Sequence, residues 1–295
     1  MARRKPPQVH GFLLIDKPAG ITSQGLVGQL RKKFNERQVG HAGTLDPDAT
    51  GLMLVGVGRA TRLLTFLVGM DKTYEGELTF GARTDTLDAA GKVIETFDMP
   101  NFVSTDVESC ITKNLTGDIM QIPPMVSAIR VEGKRLHQLA REGIEIERTP
   151  RAVTISRFDV KPTSDPHTWS FAIDCSSGTY IRSLADDLGK LMGGGAYLKT
   201  LRRTRVGPFG IGSATDVGHA VLSDPLAAVA HMARVQVDDS TKARVLHGSV
   251  LDQGDLFAGD GPWAVCDLAG ELLAIYEQHR ESTVKPAVVI AENSP

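Results

Sequence analysis

The stretch GHAGTLDPDATGLMLVGVG, residues 40–58, joins a loop rich in glycine and threonine to an apolar run. The run LMLVGVG predicts a buried strand, because both of its faces are hydrophobic. The loop before it places two carboxylates, Asp46 and Asp48, two residues apart. Three interpretations are open for this pair: a metal site, an acid/base pair, or a simple turn.

The segment DPDATG, residues 46–51, is similar to the opening of a calcium loop, with oxygen ligands at positions 1, 3 and 5 and glycine at position 6. The twelfth position of such a loop is a bidentate glutamate, and here it is Val57, so no calcium site is predicted. Acid/base pairs of the glycosidase type stand about 5 Å or more apart on opposite sides of a sugar. Two side chains on one tight turn rarely do so. Taken alone, the pair is best interpreted as a turn in which Asp48 caps the next segment of the chain.

Strands and helices interleave around this stretch without a regular βαβ rhythm. GFLLID, which starts at Gly11, predicts a strand stopped by the turn KPAG, and Ser23 is expected to cap the next helix. KTYEGELTFGARTD and WSFAIDC each predict a strand, and Thr105 with Glu108 has the spacing of a capping box. The apolar spacing in IRSLADDLGKL predicts a helix. The mixture favours an α+β fold over a doubly wound parallel sheet.

The C-terminal part of the chain differs in composition. WAVCDLAGELLAIYE is typical of a β-hairpin, so we expect a large domain over residues 1–234 and a small β-rich domain over residues 235–295. The second range holds four Lys/Arg and ten Asp/Glu, a net charge of −6, whereas the first has a net charge of +4. A polyanion should therefore contact the first domain. An uneven solvated surface is the alternative interpretation of so small an excess.

The composition is that of an ordinary globular protein. The chain has 295 residues, of which 41% are hydrophobic and 23% charged. Its three cysteines, Cys110, Cys175 and Cys266, lie far apart, so a reducing cytoplasm is the expected compartment. The basic start MARRKPPQVHG is not followed by the apolar region of a signal peptide, and no run approaches the roughly 18 apolar residues of a membrane span. We expect no membrane partner.

Sequence motifs for cofactors are missing. GVGRAT lacks the third glycine of a dinucleotide fingerprint, and the chain has no GxxxxGK[ST], no HxE…PCxxC and no GxSxG pattern. We therefore predict no cofactor and no catalytic metal.

Two segments concentrate positive charge, SAIRVEGKRLHQLAREG and AYLKTLRRTRVGPF. Each favours contacts to phosphates, with a solvated helix face as the alternative. The candidate RNA-backbone residues in them are Arg130, Lys134, Arg135, Arg141, Lys199, Arg202 and Arg203.

Taken together, six segments resemble, in order, the TruB family of pseudouridine synthases. They are GFLLIDKPAGITS, VGHAGTLDPDATGLMLVGVGRATRL, KTYEGELTFGARTDTLDAAGKV, IPPMVSAIRVEGKRLHQLAREG, CSSGTYIRSLADDLG and LKTLRRTRVGPF, spread over about residues 9–215. The resemblance implies a pseudouridine synthase fold, with a central mixed, largely antiparallel sheet flanked by helices, and a small PUA-like C-terminal domain. It also implies an enzyme that isomerises the T-loop uridine of tRNA (position 55) to pseudouridine.

The resemblance assigns roles residue by residue. Asp46 matches the catalytic aspartate, and Arg182 is expected to pair with it. Tyr74 matches a tyrosine that stacks on the target base, and Lys17 with Pro18 matches an element that supports the floor of the site. The complete set of implied substrate-binding residues is His41, Tyr74, Tyr180, Arg182 and Leu201. Many family members have an apolar residue at Asp48, so we expect this second carboxylate to face solvent or cap a turn.

The implied reaction breaks the C1′–N1 bond, turns the uracil and re-bonds it through C5, which requires no redox step and no energy source. One ionised carboxylate, Asp46, would act as nucleophile or as base. The expected partner is the T-arm of tRNA, with no obligatory protein partner and a monomeric enzyme. Two alternatives are a guide-RNA-dependent pseudouridine synthase, which usually carries a longer basic tail, and a non-catalytic tRNA-folding module.

Overall fold

The computed structural model describes residues 6–127, 130–131, 134–135, 144 and 146–291, with the backbone alone for 130–131 and 134–135. Within these ranges the chain is a mixture of strands and helices that do not alternate regularly, as the α+β prediction requires. Among the described residues, no helix combines the length and apolar character that crossing a membrane demands.

A nine-stranded sheet forms the centre of the molecule. Its main path runs β1-β3-β12-β4-β11-β10-β7, with β2 paired to β3 and β13 paired to β12. The pairing of β3 with β12 is parallel and the others in this sheet are antiparallel, which confirms the mixed, largely antiparallel prediction. The strands are β1 (Gly11–Lys17), β2 (Val39–Ala42), β3 (Thr50–Val57), β4 (Lys72–Phe80), β7 (Gly117–Gln121), β10 (Arg151–Pro162), β11 (Thr168–Cys175), β12 (Ala196–Val206) and β13 (Phe209–Gly210).

Three helices pack on this sheet through their apolar sides. They are α1 (Ser23–Phe34), α3 (Ser104–Asn114) and α4 (Ile181–Leu191), and α2 (Thr65–Val68) is a single turn that continues a 3₁₀ helix over Gly58–Leu64. Leu30, Ile111 and Leu188, one from each long helix, share a core with Leu78 and Trp169 of the sheet. Removal of this apolar surface from water is the main force that holds the helices to the sheet.

Two short two-stranded sheets are separate from the central sheet. β5 (Ala82–Thr84) and β6 (Val93–Thr96) form a two-stranded hairpin, and β8 (Arg130–Val131) pairs with β9 (Lys134–Arg135). All four residues of β6 are exposed, so this hairpin depends on contacts made by β5 and by the turn between its strands.

A second, five-stranded sheet lies C-terminal to these elements, with the order β14-β16-β17-β18-β15. Its strands are β14 (Ala233–Val237), β15 (Leu251–Asp252), β16 (Trp263–Asp267), β17 (Leu272–Arg280) and β18 (Thr283–Val289), and helix α5 (Asp239–Leu246) packs beside it. The predicted hairpin corresponds to β16 and β17, and the β-rich character of this part is confirmed. β14 crosses the predicted boundary between residues 234 and 235, so the domain limits stay a prediction.

The two sheets share one apolar cluster. Phe12 and Leu54 of the first sheet pack in it with Ala264 and Ile275 of the second. Arg62 also donates a hydrogen bond of 2.7 Å to the carbonyl of Val289. These contacts fix the C-terminal sheet against the central one.

Two predicted helix starts are wrong in detail. Thr22, not Ser23, caps α1, since its side chain accepts a 2.9 Å hydrogen bond from the Gly25 amide. α3 begins after Val103 with no side-chain cap, so Thr105 lies inside the helix and forms no capping box.

Candidate active site

The loop between β2 and β3 carries Asp46 and is anchored from below by three buried polar side chains. Ser23 Oγ donates to the carbonyl of Leu45 (2.8 Å) and accepts from its amide (2.9 Å). Lys17 and Arg203, both 0% exposed, hold the loop on either side of that point. Buried polar groups are stable only when hydrogen-bonded, so these side chains fix the path of the loop.

Lys17 contributes a buried ammonium group. Its Nζ donates to the carbonyls of Pro18 (2.9 Å), Pro47 (2.8 Å) and Ala49 (2.7 Å). Burial lowers the pKa of Lys17, and the carboxylates of Asp48 and Asp46 oppose that effect. The expected support of the floor is therefore made by charge-assisted hydrogen bonds as well as by packing.

Arg203 anchors the other side of the loop, and this corrects a prediction. Its guanidinium donates to the carbonyls of Leu52 (2.8 Å), Gly43 (3.0 Å) and Thr44 (3.5 Å). A side chain that is 0% exposed and bonded to three carbonyls does not contact an RNA phosphate. The basic residue that was expected to bind RNA backbone instead supports the loop.

The parallel pairing of β3 with β12 brings two backbones unusually close. Gly51 has a φ of +106°, and a Cβ built on it would lie 2.2 Å from the carbonyl oxygen of Arg203. Only glycine fits this position without a shift of the backbone. The loop therefore continues into β3 at a point where β3 is held against β12, the strand that carries Arg203.

Asp46 and Arg182 form the ion pair that the resemblance implies. Arg182 lies in the first turn of α4, and its Nε is 3.0 Å from Asp46 Oδ2 while Nη2 is 3.3 Å from Oδ1. The arginine side chain is 5% exposed and the aspartate side chain 42% exposed. The carboxylate is therefore accessible to solvent, whereas the guanidinium that holds it is buried. The bidentate geometry orients the carboxylate as well as neutralising it.

Arg182 is in turn held by the turn between β5 and β6. Nη1 donates to the carbonyl of Thr86 (3.0 Å) and lies 3.5 Å from Asp88 Oδ2, and Nη2 donates to the carbonyl of Val126 (2.8 Å). Asp88 itself accepts hydrogen bonds from the hydroxyl of Thr86 (2.6 Å) and the amide of Ala90 (3.1 Å). Sequence reasoning missed Asp88, although the DAAG turn that carries it lies within one of the six family-like segments.

The charges around Asp46 act in opposite directions. Burial raises the pKa of Asp46, and Arg182 opposes this shift more strongly than Lys17 does. Asp88 adds to the upward shift of that pKa, and Asp48 adds least. The net result is a partly desolvated carboxyl group with a pKa above its usual value.

A cleft of about 400 Å³ opens above this carboxylate. Its volume lies in the range of small-molecule sites, which is roughly 300–1,000 Å³. The described residues that line it include Asp46, Arg182 and Leu201, together with the small or apolar side chains of Ala49 and Val126. The cleft thus combines apolar walls with the carboxylate of Asp46, and Asp48 and Asp88 also line it.

The other predicted substrate-binding residues, Tyr74, Tyr180 and His41, are not among the described residues that line this cleft. Tyr74 is 7% exposed in β4. Burial raises the pKa of Tyr74 and outweighs the nearby charge of Arg203, which acts to lower the pKa of its hydroxyl, so the phenol is protonated at neutral pH. Tyr180 is half-buried at the start of α4, where the side chain of Gln121 accepts from its amide (2.8 Å) and donates to its carbonyl (3.0 Å).

His41 lies in β2, half-buried, opposite Val55. Burial lowers the pKa of His41, and the charge of Arg203 lowers it further, so the imidazole is neutral at pH 7. Its Nδ1 is buried and has no hydrogen-bond partner among the described residues. The implied role of His41 in substrate binding stays a prediction.

The remaining RNA-backbone candidates divide into three groups. Lys199 and Arg202, with side chains 43% and 41% exposed, form ion pairs with Glu77 (3.1 Å) and Asp16 (2.7 Å). For Arg130, Lys134 and Arg135 the structure describes the backbone of β8 and β9 alone, and Arg141 lies outside the described residues.

Asp48 is exposed at the rim of the cleft, as expected. In the described part of the chain, no group of three or more His, Cys, Asp or Glu side chains is arranged to hold a metal ion. Asp46 and Asp48 thus differ in environment. The carboxylate of Asp46 is held by the buried Arg182, whereas Asp48 is solvated.

Two family models match the chain in succession. The model of the TruB family pseudouridylate synthase (N terminal domain) matches residues 31–181, more than half of the chain. The chain belongs to the TruB family. The model of the tRNA pseudouridylate synthase B C-terminal domain matches residues 182–248 of this TruB-family chain.

Curated relatives agree with the family. The TruB-family chain is 45% identical over 249 residues to tRNA pseudouridine synthase B of Symbiobacterium thermophilum, covering 82% of this chain and 83% of that protein. It is 39% identical over 293 residues to the protein of the same name from Shouchella clausii, covering 94% and 96%. The chain is therefore an enzyme of the pseudouridine synthase class, an isomerase.

Solved structures agree on the fold. A chain of a Cbf5–Nop10–Gar1 complex is similar with a TM-score of 0.73 and 24% identity, over 96% of this chain and 85% of that one. A chain of an H/ACA RNP bound to a substrate RNA containing 2′-deoxyuridine is similar with a TM-score of 0.71 and 22% identity, over 95% and 85%. The pseudouridine synthase fold with a β-rich C-terminal part is thereby confirmed.

Proposed function

We propose that this enzyme isomerises the uridine of the T-arm loop of tRNA (position 55) to pseudouridine in the cleft above Asp46. The observation that carries the proposal is the carboxylate of Asp46 in that cleft, held bidentately by the buried Arg182. The relatives named tRNA pseudouridine synthase B support tRNA as the substrate.

The chemistry needs one ionised carboxylate next to the sugar. Asp46 would attack C1′ as a nucleophile or remove the proton from C2′ as a base, and either role requires the anion. Arg182 stabilises that anion against the desolvation that raises its pKa. Both possible roles need the carboxylate in one orientation, which the bidentate contact supplies.

The detached uracil must stay bound while it turns from N1 to C5. The apolar walls from Ala49, Val126 and Leu201 suit a flat base, and the cleft of about 400 Å³ leaves room for that rotation. Tyr74 stacks on the base only after its ring becomes accessible, because it is 7% exposed in this structure. We therefore propose that substrate binding moves the Tyr74 side chain.

A loop uridine must leave its base stack to reach the cleft, which costs a few kcal/mol. Contacts to phosphates offset that cost, and the exposed Lys199 and Arg202 are the described candidates for them. Each already pairs with a carboxylate, so an RNA phosphate would exchange with Glu77 or Asp16. Recognition of the folded T-arm would be largely by shape.

The test is release of tritium from C5-labelled uridine in a tRNA transcript by the purified protein alone. We expect release by the wild type and none by Asp46→Asn, whereas the matched variant Asp48→Asn keeps a rate within a few fold of wild type. Mapping the product should place one pseudouridine in the T-arm loop. Release that appears only after a guide RNA is added would contradict the stand-alone function, and a pseudouridine elsewhere in the tRNA would contradict the proposed position.

A further inference from the structure

The turn that holds Arg182 belongs to a hairpin outside the central sheet. Residues 85–92 connect β5 to β6, and they supply the Thr86 carbonyl and the Asp88 carboxylate to Arg182. A two-stranded hairpin is marginally stable by itself in water. The geometry of the Asp46–Arg182 pair therefore depends on what fixes this hairpin against α4.

Backbone hydrogen bonds tie the hairpin to β12. The Ala89 amide donates to the carbonyl of Leu198 (2.9 Å), the Leu198 amide donates to Leu87 (3.0 Å), and the Gly81 amide donates to Gly195 (2.9 Å). These bonds set the position of the turn relative to the sheet. α4, the helix on which Arg182 lies, packs on the same strand.

An ion pair joins the hairpin directly to that helix. Arg83 of β5 reaches Asp186 of α4, with Nε 2.7 Å from Oδ1 and Nη2 3.4 Å from Oδ2. Asp186 follows Arg182 by four residues, so both side chains lie on the same side of the helix, one turn apart. The Asp186 side chain is 5% exposed, which makes this contact less screened by solvent than a surface pair.

Arg83 does not line the cleft above Asp46. It lines a separate cavity of about 430 Å³ together with Asp186, Ser183 and Leu87, on the other side of the turn. Thr86 and Asp88 line the cleft of the active site instead. Arg83 is thus placed to act on the reacting atoms through the turn, and not by direct contact.

We infer that Arg83 and Asp186 are positioning residues for the isomerisation, because their ion pair sets the spacing between α4 and the turn that orients Arg182. The inference rests on the proposed function, in which Arg182 orients the carboxylate of Asp46. Displacement of that carboxylate by a fraction of an ångström is enough to lower the rate of the chemical step.

Lys190 provides a matched control. Its Nζ lies 2.7 Å from the same carboxylate, at Asp186 Oδ2, but it belongs to α4 and makes no bridge to the hairpin. Arg83→Met leaves the carboxylate of Asp186 paired with Lys190, so the variant is expected to fold. Lys190→Met removes an equal charge from the same partner and leaves the bridge intact.

The experiment measures the single-turnover rate constant and the Kd for a tRNA transcript. We expect Arg83→Met to lower the rate constant about 10- to 100-fold, with Kd within about twofold and a wild-type far-UV circular dichroism spectrum. Lys190→Met should stay within about threefold of wild type in both quantities. An unchanged rate constant for Arg83→Met would overturn the inference, and so would a change in Kd alone, which would mean that Arg83 contacts RNA.

A double-mutant cycle separates positioning from a general structural effect. Arg182→Lys keeps a positive charge but loses the simultaneous contacts to Asp46, Thr86 and Val126. If Arg83 acts through Arg182, adding Arg83→Met to that variant should change the rate constant by less than about threefold. Fully multiplicative losses would overturn the inference. Failure of the proposed function shows separately, as activity that survives Asp46→Asn.

Discussion

Replacing Lys17 by methionine removes the buried charge beneath the loop that carries Asp46 and nearly keeps the length of the side chain. The ammonium makes three hydrogen bonds of 2.7–2.9 Å to carbonyls. Bonds of this charge-assisted kind contribute about 1.5–3 kcal/mol each. Loss of all three would cost about 4.5–9 kcal/mol before any compensation.

Two effects reduce that loss. Removing the ammonium also removes its desolvation cost, which is several kcal/mol for a buried ion. The pKa of Lys17 is lowered, so its neighbours Asp48 and Asp46 offset that cost only in part. The carbonyl of Pro47 keeps a second donor, the Gly20 amide at 3.0 Å. The carbonyl of Ala49 is left buried. We therefore expect a net loss of about 2–4 kcal/mol in the free energy of unfolding.

The assay is thermal and urea unfolding of Lys17→Met beside Lys113→Met, in which the lysine replaced is exposed near the end of α3. The first variant should unfold about 4–10 °C below wild type, and the second should lie within about 0.5 kcal/mol of it. Equal stability of the two variants would refute the reasoning that Lys17 anchors the loop through its charge.

Two further predictions concern the charge network and the backbone beneath it. The single-turnover rate should fall as pH decreases through the pKa of Asp46, because the anion is required. Asp88 raises that pKa and Arg182 lowers it. Asp88→Asn should therefore move the acid limb of the pH–rate profile to lower pH, and Arg182→Met should move it to higher pH. Shifts in one common direction in the two pH–rate profiles would contradict the opposed charges. Gly51→Ala should destabilise the fold by about 3 kcal/mol or more in urea titrations, because its Cβ would lie 2.2 Å from a backbone oxygen. Gly20→Ala, also at positive φ (+81°) but with open space around it, should cost only about 1–2 kcal/mol of unfolding free energy. Equal costs for the two variants would show that the close approach of Gly51 to Arg203 is unimportant.

Elements with strong local signals could be predicted from the sequence. The apolar runs that start at Gly11 and Leu52 became β1 and β3, and the spacing in IRSLADDLGKL became α4. Each of these signals lies within one element, so its outcome depends little on distant residues. The role of Asp46 and its pairing with Arg182 came from the resemblance, and the structure supplies the geometry.

Contacts between elements that are distant in sequence could not be predicted from such local patterns. Arg203 and Arg202 look alike in a basic segment, but the alternation of β12 buries one beneath the loop and exposes the other. Ser23 has the chemistry of a helix cap, and its hydroxyl is used for Leu45, 22 residues away. Asp88 was missed because its contact to Arg182 depends on how the hairpin folds back over α4.

We propose that one carboxylate of the pair in GHAGTLDPDATGL, Asp46, carries the chemistry and that the other, Asp48, does not. The most direct measurement is the single-turnover rate of pseudouridine formation in tRNA by Asp46→Asn and Asp48→Asn, with Kd for the same tRNA measured in parallel. We predict no detectable product for Asp46→Asn at near wild-type Kd, and a rate within a few fold of wild type for Asp48→Asn. Product formed by Asp46→Asn at the wild-type rate, or equal losses in the two variants, would contradict the account.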